Sequence, residues 1–218
     1  AIAQAWARLQ AAQGAGFYLV GRDHGKLEAV SNDLMARGAR EVHLCVIDLS
    51  IVQDYDDIVA QLFRCWSVID IALFAQGSLP DQRELEKQIG GVRGMFELNA
   101  MGYILPASLI AERMALAGGG SVVLISSVAG DRGRQSNYFY GTSKAAVTTF
   151  AQGLRNHVAK HGVQVLTVKP GFVDTPMTAA IPKGGPLWAT PQQIAASIEH
   201  GIKKKRNVIY APWFWRLI

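Results

Sequence analysis

The feature that most constrains this chain is a repeated switch between two hydrophobic spacings. Short continuous apolar runs occur at 17–20, 42–47, 68–74, 122–126, 163–168 and 208–210. Between them lie stretches whose apolar residues recur every three to four positions, as at Leu27, Val30 and Leu34. These predict helices over 1–13, 24–37, about 51–65, a mostly helical stretch up to about 117, about 138–160 and 191–204. Gly14 and Gly16, Gly38 and Gly118–Gly120 end three of them. Ser50 is the predicted cap of the third helix, and Thr190-Pro191 opens the last with a cap residue and a first-turn proline. Apolar runs without alternation are the mark of strands buried on both faces. Strand–helix alternation throughout then predicts an α/β chain with a doubly wound parallel sheet of the Rossmann type, residues 1–218 forming a single domain.

Composition agrees. Of 218 residues, 50% are hydrophobic and 18% charged, which excludes a disordered chain. Two cysteines, Cys45 and Cys65, exclude a disulfide scaffold and fit a reducing, cytoplasmic setting. No apolar run has the 18 or so residues of a membrane span. Four of the net +5 charges sit side by side at Lys203–Arg206, so the basicity is local.

Ligands of such sheets bind beyond the C-terminal strand ends. There the run 122–126 leads into Ser126-Ser127-Val128-Ala129-Gly130, and Tyr140 and Lys144 follow at a helix start. Four apart, the two share one helix face. A lysine ammonium beside a phenol favours phenolate, which would bring tyrosine from near 10 toward a useful acid–base range. A serine hydroxyl can hold the same substrate oxygen. Alone, a Tyr-x-x-x-Lys pair is weak evidence, because a half-buried helix start with a solvated lysine looks the same.

The combination is more specific. Ser127 precedes Tyr140 by thirteen residues, Lys144 is followed by Ala145-Ala146-Val147, Glu97-Leu98-Asn99 lies on the preceding helix, and Pro170-Gly171-Phe172-Val173-Asp174-Thr175-Pro176-Met177 follows the next strand. Over nearly its whole length the chain resembles the short-chain dehydrogenase/reductase family. The resemblance implies Tyr140 as proton donor and acceptor, and Lys144 as the residue that binds the nicotinamide ribose and depresses the tyrosine. It implies Ser127 orienting the carbonyl or alcohol, and Asn99 holding a water of the proton relay. Pro170, Gly171, Val173 and Thr175 match the segment at the nicotinamide end. Asp48, with Leu49 beside it, matches the acidic position near adenine. Since no side chain readily accepts a hydride, alcohol–carbonyl chemistry needs a cofactor. Arg22 stands where an arginine would accept a 2′-phosphate, which favours NADP, while Asp23 next to it keeps NAD open.

Two departures matter. Where the family has Asn-Asn-Ala-Gly, this chain has Phe74-Ala75-Gln76-Gly77, so Ala75, Gln76 and Gly77 can keep only backbone contacts to the cofactor. The family's opening strand and Gly-rich turn have no counterpart. Ala1-Ile2-Ala3 resembles the last three residues of that turn, leaving Ile2 as its cofactor contact. The missing strand is central in the 3-2-1-4-5-6 order, so about a dozen or more residues are expected ahead of Ala1.

No metal site is expected. His157 and His161 have zinc-pair spacing but lack the glutamate of H-E-x-x-H, position 158 being Val. The basic run Lys203–Arg206 followed by Trp213-Phe214-Trp215 suits either peripheral membrane contact or a solvated helix end with packed aromatics. It carries no base-reading module, so no nucleic-acid partner is expected. The loop 175–190, with Met177, Ile181, Leu187 and Trp188, is apolar and points to a hydrophobic or lipid-linked carbonyl or alcohol substrate. A homodimer or homotetramer is implied through the helices about 90–117 and 138–160. The alternative from another class is a dinucleotide-binding sensor that kept the fold without turnover. Intact Ser127, Tyr140 and Lys144 argue against it.

Overall fold

The computed structural model describes residues 1–52 and 54–218. Eight strands and eight α-helices alternate along it. The strands are β1 Gly16–Gly21, β2 Glu41–Val46, β3 Ile71–Phe74, β4 Gly120–Ile125, β5 Val163–Pro170, β6 Phe172–Val173, β7 Trp188–Ala189 and β8 Val208–Ala211. The helices are α1 Ile2–Ala11, α2 His24–Ala36, α3 Asp56–Cys65, α4 Gln82–Lys87, α5 Gly90–Phe96, α6 Gly102–Leu116, α7 Tyr138–Val158 and α8 Pro191–Lys203. All strand pairs are parallel: β1 with β2, then β3-β4-β5-β8, then the short β6 with β7.

The doubly wound order is therefore present in two pieces. Among the described residues no strand joins β1 to β3, the position of the central strand in the expected order. Helix α1 links the pieces instead. Its Ala5 and Trp6 pack with Val123, Ile125, Leu166 and Val168 of the larger sheet, while Ala7 and Ala11 pack with Phe17 of the smaller sheet and Leu34 of α2. Glu199 of α8 fixes α1 from outside, accepting from Trp6 Nε1 at 3.2 Å and Gln10 Nε2 at 2.7 Å.

The apolar runs describe the two sheets unequally. Val122, Val123, Leu124, Leu166 and Val168 are fully buried, as strands covered on both faces should be. In the smaller sheet only one face is well covered. Phe17, Leu19 and Val42 point to α1 and α2. Tyr18, Val20, Glu41 and His43 share the other face, where Trp66 stacks edge-on against His43 and donates to Glu41, and Val20 remains 40% exposed.

The third helix begins later than its sequence suggests. Ser50 caps nothing. Its backbone N–H and hydroxyl both donate to Asp48 Oδ1, at 2.9 and 2.6 Å, so residues 48–50 turn and α3 starts at Asp56. Thr190 behaves as expected: its hydroxyl accepts from Gln193 N while Gln193 Oε1 accepts from Thr190 N, with Pro191 in the first turn. Long helix α7 is tied across the sheet by Arg155, which donates to Val165 O, Thr167 Oγ1 and Asn207 O.

Candidate active site

Two glycines bring Ser127 to Tyr140. The turn Val128–Gly130 lies directly on the start of α7. A Cβ at Gly141 would meet Ala129 O at 2.7 Å, and one at Gly130 would meet the Lys144–Ala145 backbone at 2.8 Å. Without side chains there, the end of β4 and the first turns of α7 close on each other. The adjacent serines then separate in role. Ser126 is buried, donating to Lys144 O at 2.9 Å and bonded to Thr148 Oγ1 at 2.8 Å. Ser127 is half-buried, accepts from Ala129 N at 3.1 Å and lies near enough to the Tyr140 phenol to lower it.

Burial works against the predicted effect of Lys144 on Tyr140. Lys144 is only 3% exposed. Its Nζ donates to Ile125 O and Tyr103 Oη, each at 3.2 Å, and lies 4.2 Å from the Tyr103 ring centroid but 5.9 Å from that of Tyr140. Burial lowers the Lys144 ammonium to about 7 and pushes the Tyr140 phenol up to about 12, against which the Ser127 hydroxyl works. Burial thus keeps Tyr140 a protonated phenol at neutral pH.

Tyr103 is the residue that sequence reasoning missed. It is fully buried, accepts from Lys144 and donates to Gln76 O. Burial holds its phenol well above the ordinary range. Its signal was position: Tyr103 is four residues after Asn99, one helical turn along the same face.

Asn99 is completely buried in a π-helical segment, Glu97–Met101, between α5 and α6. Its Nδ2 donates to Ser78 O and its Oδ1 accepts from Ser78 N, both at 2.8 Å. The side chain thus fixes the loop after β3. Gln76, in place of asparagine, has a structural task too. Pro106 inside α6 has no N–H for the Gly102 carbonyl, and Gln76 Nε2 donates to that carbonyl instead. Gly77 opens the space between these groups. A Cβ there would lie 3.0 Å from Asn99 Oδ1, 3.7 Å from Met177 Cε and 3.8 Å from Lys144 Nζ. Gly77 thus brings the loop after β3 against Asn99, Met177 and Lys144, the groups that could face a nicotinamide nucleotide.

The remaining predicted positions form a rim. Val173 pairs with Ala189, and Thr175 leads into a short 3₁₀ turn in which Thr178 Oγ1 accepts from Thr175 N and donates to Val173 O. Pro170 pairs with Ala211, and Gly171 is packed so closely by the Trp215 indole that any Cβ would overlap it. Ala75 and Ile2 pack against the larger core. Arg22, Asp48 and Leu49 belong to the smaller sheet. Arg22 Nη1 is 3.7 Å from Asp48 Oδ2, its side chain 73% exposed. The Ser50 hydrogen bonds hold Asp48 below the usual carboxylate range. Asp23 caps α2, accepting from Lys26 N at 3.0 Å, and that bond lowers its carboxyl. Leu49 O accepts from Tyr55 Oη.

The C-terminal segment does not form one basic-aromatic face. Lys203–Arg206 precede β8 and Trp213–Ile218 follow it, so the two groups lie at opposite ends of a four-residue strand. Trp215 and Trp188 flank Phe172, at centroid distances of 5.5 and 5.3 Å. Of the apolar loop residues, Met177 is the one that reaches Gly77. Among the described residues no helix is long and apolar enough to cross a membrane.

The Rossmann-type architecture and this cluster define a dinucleotide-dependent enzyme class, and known proteins narrow it. A family model described as short chain dehydrogenase matches residues 1–185. An uncharacterized oxidoreductase of Mycobacterium tuberculosis is 33% identical over 205 residues, covering 94% of this chain and 82% of its own. A solved short chain dehydrogenase/reductase family protein is 27% identical with a TM-score of 0.82, over 96% of this chain and 90% of that one. A short-chain dehydrogenase from Sphingobium yanoikuyae, solved in complex with NADPH, has a TM-score of 0.82 at 24% identity, over 97% and 84% of the two chains. The chain belongs to the short-chain dehydrogenase/reductase family and is a NAD(P)-dependent oxidoreductase.

Proposed function

We propose that this enzyme is NADP-dependent and interconverts a ketone and a secondary alcohol, with Tyr140 as general acid and base. The observation that carries this reading is the convergence of Ser127 and Tyr140 at the end of β4, with Lys144 buried beside Gly77. A bound nicotinamide supplies the hydride for reduction and accepts it in oxidation. Tyr140 Oη, protonated at neutral pH, gives its proton to the carbonyl oxygen as negative charge grows there. Ser127 Oγ donates a hydrogen bond to the same oxygen and holds it in place. Lys144, lowered to about 7 by burial, becomes fully ionised when it gains a further acceptor, and its charge then assists proton loss from Tyr140. Asn99 acts by fixing the loop at Ser78.

Cofactor choice rests on two neighbours. Asp23 is committed to the cap of α2, whereas the Arg22 guanidinium is largely in solvent, only loosely paired with Asp48, and placed to take a 2′-phosphate. The Sphingobium protein of the same fold binds NADPH. We place the contacts of Asp48, Leu49, Ala75, Gly77, Pro170, Gly171, Val173 and Thr175 along the cofactor, and assign assembly to α6 and α7 as a homodimer or homotetramer. Steady-state assays at 340 nm with a panel of ketones test the reading. A KM for NADPH at least tenfold below that for NADH is expected. A preference for NADH would overturn the NADP assignment.

A further inference from the structure

Lys144 is held from a side that the chemistry above leaves without a task. As an ammonium it has three N–H donors. One reaches Ile125 O at the end of β4 and one reaches Tyr103 Oη in the first turn of α6, each at 3.2 Å. Among the described residues the third meets no acceptor. Tyr103 touches the lysine twice, since its ring centroid is also 4.2 Å from Nζ, within cation–π range. The titratable side chains against Lys144 are two phenols, Tyr103 of α6 and Tyr140 of its own helix, and no carboxylate shares in holding its charge.

Tyr103 itself cannot drift. It is fully buried, and its one hydroxyl proton goes to Gln76 O, so toward Lys144 its oxygen can only accept. The loop at Gln76 is gripped in turn. Gln76 Nε2 donates to Gly102 O, and both polar atoms of the Asn99 side chain are bonded to Ser78. With Asn99 spent on that loop, the group that meets Lys144 from this segment is Tyr103.

We propose that Tyr103 is the positioning residue of Lys144, holding the ammonium by oxygen and ring face so that one N–H remains for the cofactor or the Tyr140 phenol. The chain Lys144–Tyr103–Gln76 runs one way and ends on a backbone carbonyl, which takes up no proton, so it anchors the lysine without draining it. The role in turnover rests on the reading of Tyr140 as general acid and base, but the hold on Lys144 can be measured without turnover.

Tyr103→Phe deletes the oxygen and keeps the ring. In oxidation of 2-octanol or 1-phenylethanol with NADP⁺, kcat should fall about tenfold, or about 1.4 kcal/mol, with the KM for the alcohol within about twofold. The second arm follows thermal unfolding of the cofactor-free protein from pH 5 to 8. The lost oxygen favours the charged form of Lys144, so the gap in Tm between wild type and variant should widen as pH falls below about 7. In a Lys144→Met background the gap should not vary with pH. A gap independent of pH in the lysine-containing protein would mark Tyr103 as packing alone and overturn the proposal. So would a wild-type kcat in Tyr103→Phe. If the wild type oxidises neither alcohol, the reductase reading fails and the thermal arm alone decides on Tyr103. Should Tyr103→Phe not fold, NMR of the wild type carries the test. The Lys144 ε-methylene signals, identified by their loss in Lys144→Met, should lie upfield of those of the other lysines, shifted by the Tyr103 ring. Signals among those of the other lysines would overturn the placement.

Discussion

The two sheets of this molecule are built from the same kind of apolar run, yet they differ in burial and in task. In β3-β4-β5-β8 the central strands are sealed on both faces, and beyond their ends lie Ser127 and Tyr140, with Asn99 and Lys144 close to Gly77. In β1-β2 one face packs on α1 and α2, the other is half open, and of the residues beyond its end Arg22 is exposed and Asp48 half-buried. Proton chemistry needs fixed geometry and low dielectric, which the larger sheet provides. Reading a phosphate needs a reachable cation, which the smaller one provides.

That contrast can be broken by mutation. Leu166→Ala, in the sealed core, is expected to cost about 3 kcal/mol of unfolding free energy. Leu19→Ala, on the smaller sheet, should cost about 1–2 kcal/mol. Urea titrations of the two variants decide, and equal losses would erase the distinction.

A second difference is electrostatic. Lys144 ionises at about 7 in the folded protein against an ordinary 10.5, so between those values the unfolded chain binds a proton that the folded chain does not. Stability therefore rises with pH across this window and falls as pH drops toward 7. Lys144→Met should flatten the slope in thermal unfolding of the cofactor-free protein. An unchanged slope would show that Lys144 is not desolvated as described.

The smaller sheet is tested by its own pair of neighbours. Arg22→Gln should raise the KM for NADPH relative to that for NADH about tenfold, the loss of one charge-assisted contact. Asp23→Ala should leave that ratio within about twofold and cost only ~1 kcal/mol of stability through the lost helix cap. If Asp23 moves the ratio more than Arg22, the assignment of the ribose-binding residue is reversed.

Legibility followed the range of the interaction. Tyr140, Lys144 and Ser127 were readable because one helix turn and one strand–turn connection fix their relation locally. The sheet order was readable because parallel strands must be joined by crossovers. What was hidden depends on residues distant in sequence. Tyr103 meets Lys144 from another helix, and Gln76 serves a carbonyl freed by Pro106. Ser50 shows the converse case, where a correct cap residue lost to a nearer carboxylate, Asp48. Burial, which works against the depressed tyrosine inferred from the Tyr140–Lys144 spacing, was not legible because spacing carries no information on it.

The central claim is that Tyr140 supplies the proton and has no part in holding the cofactor's phosphate end. Tyr140→Phe, measured for NADPH binding by fluorescence titration and for ketone reduction at 340 nm on the same sample, tests it most directly. The account predicts a fall in kcat of about 10³-fold, with the Kd for NADPH changed by less than about threefold, under 1 kcal/mol. Wild-type turnover in the phenylalanine variant would contradict it.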